Sequence, residues 1–151
     1  MIFKTIAEFK LNLPSSGPIL GLDIGGKKIG LALSDDFRRL SSSLQVININ
    51  DLNNLSKICI DYNITGIVIG WPLEMNGNEG EACKKILEKA NKISTLINLP
   101  ILLFDERFTT KMANNALSHF EFTRKKRNDQ DDKVSANIIL QDVLNSFTLQ
   151  Q

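Results

Sequence analysis

Three carboxylates, far apart along the chain, are the residues with the clearest capacity for chemistry. Asp23 ends the apolar run Ile19-Leu20-Gly21-Leu22, Asp105-Glu106 closes "ILLFDE", and Asp132 stands at the head of "DDKVSANIILQ". Taking a carboxylate out of water at the tip of a buried strand costs several kcal/mol, roughly, unless something compensates. Clustered carboxylates also repel one another, and a hard divalent cation with oxygen ligands relieves that repulsion. Mg²⁺ or Mn²⁺ on such a cluster suits phosphodiester hydrolysis, because it activates water and neutralises charge on the attacked phosphate. Each acid also has a plainer reading. Asp23 can bond the amides of the Gly25-Gly26 turn, Asp132 can be a first-turn acid favoured by the helix dipole, and Glu106 can pair with Arg107 or Lys111.

Basic side chains lie near these acids in the chain. Arg124-Lys125-Lys126-Arg127 is the one dense basic run, five residues before Asp132. It is either a solvated, self-repelling loop or a phosphate contact that positions a strand without reading its sequence. Lys27, Lys28 and Arg107, at the tips of the two acid-bearing strands, can add charge near a scissile phosphate. Phe120 and Phe122 can stack on a base or fill the core. His119, the sole histidine, has no partner in the sequence that would make it a general base.

The elements that must position these groups follow from hydrophobic pattern. Ile19–Asp23 reads as a strand and Lys28–Ser34 as its hairpin partner across the glycine turn. Leu44–Asn48 is a third strand after a serine-rich loop, Ser41–Ser43. Asp51 caps a helix through Tyr62. Thr65–Gly70 and Ile101–Glu106 are continuous apolar runs, as expected for buried parallel strands. Glu79–Ile97 is the clearest helix, with Ala82, Cys83, Ile86, Leu87, Ala90, Ile93 and Ile97 on one stripe and Lys84, Lys85, Glu88, Lys89 and Lys92 mostly off it. A short helix from Thr109 or Thr110 to His119 precedes the basic loop. The last helix, Asp132–Phe147, carries an Ala136, Ile139, Val143 stripe that should face the sheet and put Asp132 on its inner face. The order β-β-β-α-β-α-β-α-α lets the first strand lie parallel to the two later ones. Open α/β sheets bind ligands beyond the carboxyl ends of such strands, so three distant acids can meet at one sheet edge.

The chain has 151 residues, 42% hydrophobic and 23% charged, with a net charge of +1. One well-cored α/β domain fits those figures, and a histone-like basic protein does not. A local basic patch can still bind nucleic acid. Cys59 and Cys83 read as buried free thiols, which suits the cytoplasm. No apolar run reaches the ~20 residues needed to span a bilayer, and "MIFKTIAEFKLNL" is too interrupted by charge for a signal peptide. Residues 1–18 are expected to form an N-terminal extension with a short docking segment, and residues 19–148 the functional domain.

Four blocks, "LGLDIGGKKIGLALSD", "IVIGWPLEMNGNEG", "DERFTT" and "DDKVSANIILQ", resemble the YqgF family, also called RuvX or the pre-16S rRNA nuclease family. The resemblance runs from about Pro18 to Phe147. It implies an RNase H-like fold, a mixed five-stranded sheet flanked by helices, shared with Holliday-junction resolvases. It implies a cytoplasmic, metal-dependent nuclease that processes the 5′ end of pre-16S rRNA, with Asp23, Glu106 and Asp132 as the acidic set. Asp23 would bridge two ions, and the other two acids would complete the shells. The chain departs from the family in reading Gly26-Lys27 where a Gly-Thr-Lys is usual, and in Trp71. Asp105 and Glu74 are alternatives to Glu106 as second ligand. A Holliday-junction DNA endonuclease, a non-catalytic rRNA-binding assembly factor, and a monomer or homodimer all remain open. A sugar-kinase or actin-type ATPase, suggested by "DIGGK", needs two such domains, and this chain has one.

Overall fold

A computed structural model describes residues 1–74, 76–105 and 129–149. Its strands are β1 (Ile2–Phe3), β2 (Ile19–Ile24), β3 (Lys28–Ser34), β4 (Ser41–Asn48), β5 (Gly66–Trp71) and β6 (Ile101–Asp105). The helices are α1 (Ile6–Leu11), α2 (Leu52–Asp61), α3 (Glu81–Leu96) and α4 (Asp129–Leu149). The strands form one mixed sheet in the order β1-β6-β5-β2-β3-β4. The β2-β3-β4 meander is antiparallel, and β2, β5, β6 and β1 pair in parallel. The expected α/β sheet is present, with six strands instead of five.

The extra strand comes from the N-terminal segment. Ile2 and Phe3 pair with Ile101 and Leu102, and the Ile101 amide donates to the Met1 carbonyl at 2.9 Å. β1 thereby covers what would be an open edge of β6. α1 follows, capped by Thr5, and buries Phe9 completely. The N-terminal extension, expected to carry a short docking segment, thus contributes a strand, a short helix and a core side chain.

Strand alternation divides the core into two layers. Leu20, Leu22, Ile29, Leu31, Ile67, Ile69, Ile101 and Leu103 face α2 and α3. Ile19, Ala32, Val68, Leu102 and Phe104 face α4, which buries Ala136, Ile139, Leu140, Val143, Leu144 and Phe147. Burial on both faces is why β5 and β6 read as unbroken apolar runs. α4 approaches the sheet at Gly21, where a Cβ would lie 2.8 Å from Leu140 Cβ and 3.2 Å from the Ala136 carbonyl oxygen. Gly21→Ala is therefore expected to destabilise the fold by about 1–3 kcal/mol. Gly26→Ala, with nothing within 4 Å of the added carbon, serves as the control in the same thermal melts.

Several boundaries differ from expectation for tertiary reasons. Ser41–Ser43 belong to β4, because α4 holds them. The Ser41 amide donates to Gln141 Oε1 at 2.9 Å, the Ser41 hydroxyl to the Asn137 carbonyl at 3.0 Å, and the Ser43 hydroxyl to the Lys133 carbonyl at 3.3 Å. A register shift between Leu31 and Ala32 accommodates the longer strand. α4 starts at Asp129, so Asp132 lies inside the helix and does not open it. Asp51 does cap α2, its carboxylate accepting from the Asn54 amide at 3.3 Å. Cys59 and Cys83 are buried and free, and burial pushes the Cys59 thiol up to about 11. No helix among the described residues is long and apolar enough to cross a membrane. The expected 109–119 helix, His119, Phe120, Phe122 and the basic run fall outside the described residues.

Candidate active site

The parallel strands all end at one edge of the sheet, and Asp23 is there. It pairs with Gly30 of β3. The Leu22–Ile69 pairing places it level with Gly70 of β5, which in turn pairs with Phe104 of β6. Asp23 alternates with Leu22, whose side chain joins the α2/α3 core, so it occupies the α4 face with Ile19 and Gly21. Its lateral neighbours on that face are therefore two glycines. Asp23 itself is half-buried, and both glycines are buried. Sequence reasoning missed Gly30 and Gly70. The available signal was a glycine inside each of two apolar strands.

The helix brings Asp132 toward the same edge. β4 runs parallel to β2, and along it Ser41 bonds to Asn137 and Gln141 while Ser43 bonds to Lys133. α4 therefore runs antiparallel to β2, with its N-terminal end at the carboxyl edge. Ala136 lies against Gly21. Two residues further along β2, about 6.7 Å, is Asp23. Four residues back along α4, about 6 Å, is Asp132. The two backbones are thus at the same level on the same side of the sheet.

The alternatives to Glu106 lie elsewhere. Asp105 pairs with Trp71, and alternation sets it on the face of Ile101 and Leu103, opposite Asp23. Glu74 Oε1 lies 2.6 Å from where a Gly80 Cβ would stand. Gly80 precedes α3, whose N-terminal dipole favours a carboxylate, and α3 too belongs to the opposite layer. Glu106 itself, Arg107, Lys111 and Arg124–Arg127 lie outside the described residues, as does the side chain of Asp132. Lys27 and Lys28 are exposed at the β2–β3 turn, where the Gly25 amide donates to the Lys28 carbonyl at 2.8 Å. Among the described residues no group of three or more His, Cys, Asp or Glu could hold a metal ion. Of Asp23, Glu106 and Asp132, only Asp23 has a described side chain, and its carboxylate has the hard oxygen donors that suit a divalent cation.

The family described as "RuvX: Holliday junction resolvase" matches residues 17–146. The chain belongs to the RuvX family. Its RuvX-type relatives include a protein of Rickettsia felis, 41% identical over 151 residues, and one of Rickettsia bellii, 40% identical. Each match covers 97% of this chain and 98% of the relative, and both relatives bear the name "Putative pre-16S rRNA nuclease". The solved structure of Thermus thermophilus RuvC in complex with Holliday junction substrate matches with a TM-score of 0.58 at 11% identity. That match covers 89% of this chain and 95% of the other, and it shows a common RNase H-like fold. As a RuvX protein, the chain is a hydrolase of nucleic-acid phosphodiester bonds, with nucleic acid as its substrate. RuvX and its neighbours belong to a group of nucleases that generally use divalent metal ions.

Proposed function

We propose that the chain is a cytoplasmic nuclease that processes the 5′ end of pre-16S rRNA, with Asp23, Glu106 and Asp132 as its acidic set. The observation that carries the proposal is Asp23 at the carboxyl edge of the sheet, flanked by Gly30 and Gly70, with the backbone of Asp132 at the same level. Glu106 is preferred to Asp105 because Asp105 stands on the other face. The relatives' name supports the RNA substrate, and two buried free thiols suit a reducing compartment.

The three carboxylates would hold Mg²⁺ or Mn²⁺, which when bound supplies Lewis acidity toward the phosphate and lowers the pKa of a coordinated water. The remaining work falls to the protein. Lys27 and Lys28 present ammonium groups at the strand tip, where they can meet phosphates flanking the scissile one. Arg107 follows Glu106 in the chain and adds positive charge there, or holds Glu106 in place. Arg124, Lys125, Lys126 and Arg127 hold the incoming strand by phosphate contacts alone. Gly30 and Gly70 place no side chain of their own beside the carboxylate.

The test is cleavage of a labelled pre-16S 5′-leader RNA against a labelled four-way DNA junction, each with Mg²⁺, Mn²⁺ or EDTA. The expected result is metal-dependent cleavage of the RNA at least about tenfold faster than of the junction. Faster cleavage of the junction would replace the RNA reading with a resolvase acting as a homodimer. Tight RNA binding with no cleavage of either would leave an assembly factor.

A further inference from the structure

On the other face of the same sheet edge lies an open cleft of ≈ 300 Å³. Ile24, Ile49 and Ile86 form its apolar lining, and Lys85 and Lys89 stand beside it from successive turns of α3. Lys85 is exposed and Lys89 half-buried, and both line the cleft beside its isoleucines. Their stems can lie along that lining while the ammonium groups stay in water. Lys89 Nζ donates to the Ile49 carbonyl at 3.2 Å, which fixes it across the cleft. An ammonium has three donors, so two remain for a ligand. No acidic residue among the described residues lines the cleft.

The position of the cleft identifies the occupant. Its wall includes the Gly25-Gly26 turn, and Ile24 is the residue after Asp23. A chain passing Asp23 on the α4 face need only cross that turn, beside exposed Lys27 and Lys28, to reach the cleft. We propose that the cleft seats the single-stranded flank of the nucleic-acid substrate: one unpaired base on the isoleucine lining, its neighbouring phosphates on Lys85 and Lys89. A base inside a duplex has no free face to insert, so the cleft selects substrates with an unpaired segment next to the cut. The inference rests on the nuclease reading of Asp23 for its direction, but its test does not need catalysis.

The experiment measures affinity in EDTA by fluorescence anisotropy, using the full chain and two probes: a fluorescein-labelled RNA hairpin with an oligo-adenylate tail, and the same hairpin blunt. Wild type should bind the tailed hairpin about tenfold more tightly. The Lys85→Ala/Lys89→Ala pair should remove most of that preference and lower the slope of log K against log salt by about 1.4. Ala82→Trp, at an exposed position lining the cleft, should fill it and cost a similar factor without changing the salt slope. Neither variant should move blunt-hairpin affinity by more than about twofold. Equal binding of both hairpins by wild type, equal losses on both, or an Ala82→Trp protein that binds like wild type would each overturn the cleft. Cleavage by Asp23→Asn, measured separately, bears on the nuclease reading alone.

Discussion

Asp23→Asn is expected to slow single-turnover cleavage of the leader RNA by at least about a thousandfold, equivalent to about 4 kcal/mol of transition-state stabilisation. The substitution is nearly isosteric and removes one negative charge where the parallel strands end. The residue lies between glycines, so no side chain on either lateral neighbour can substitute for the lost oxygen donor. Asp132→Asn is expected to act in the same direction, because its backbone stands at the same level on α4. The measurement is cleavage with enzyme in saturating excess, beside a thermal melt and an affinity in EDTA. Melting temperature and affinity should hold while the rate collapses. Cleavage at the wild-type rate by both variants would remove the proposed site, whatever the substrate proves to be.

Phe9→Ala is expected to cost about 3–5 kcal/mol of stability, the range for emptying a fully buried aromatic site. In a chain of this size that corresponds to a fall in melting temperature of roughly 6–20 °C. Phe9 is wholly buried. Its ring centroid is 6.5 Å from that of Phe147 on α4, and its Cζ would lie 3.0 Å from a Cβ placed on Gly66. It therefore joins α1, α4 and β5 in one layer, and its removal leaves a void that three elements must close over. If the first eighteen residues were merely attached to the domain, the loss would stay under about 1 kcal/mol. Denaturant melts of the full chain decide between these values. The same segment reaches the carboxyl edge of the sheet through Lys4, which pairs with Glu79 at 3.3 Å and stands 4.7 Å from the Trp71 ring centre. Those contacts are exposed and contribute little stability, so the N-terminal segment is held mainly by Phe9 and the β1 pairing.

Much of this architecture was legible before any coordinates. Lys28–Ser34 is a strand to the residue, and Asp51 caps α2 as its side-chain chemistry demands. β5 and β6 fall within a residue of their apolar runs where described. These features are local: a two-residue or 3.6-residue period, a cap, or a run of branched apolar side chains carries its own signal. The three acids could be singled out for the same reason, since each sits where an apolar pattern gives way.

What lay beyond the sequence was set by partners distant in the chain. A two-residue strand has no period to detect, and Ile2–Phe3 is a strand only because Ile101 and Leu102 lie open beside it. Ser41–Ser43 look like a loop until Lys133, Asn137 and Gln141, about a hundred residues on, supply their hydrogen-bond partners. Asp105 and Glu106 are equivalent as letters, and only the pairing of β6 with Trp71 of β5 sets Asp105 on the face away from Asp23. Gly30 and Gly70 become neighbours of that carboxylate through strand register, and Lys85 and Lys89 become walls of a cleft because the fold sets α3 across it from the β2–β3 turn. The sequence by itself determined which residues could do chemistry and which segments were strands or helices, because propensity and periodicity are short-range. Only the tertiary structure decided which of them share a face, because register and packing are long-range, and a shift of one residue sends a side chain to the opposite side of the sheet.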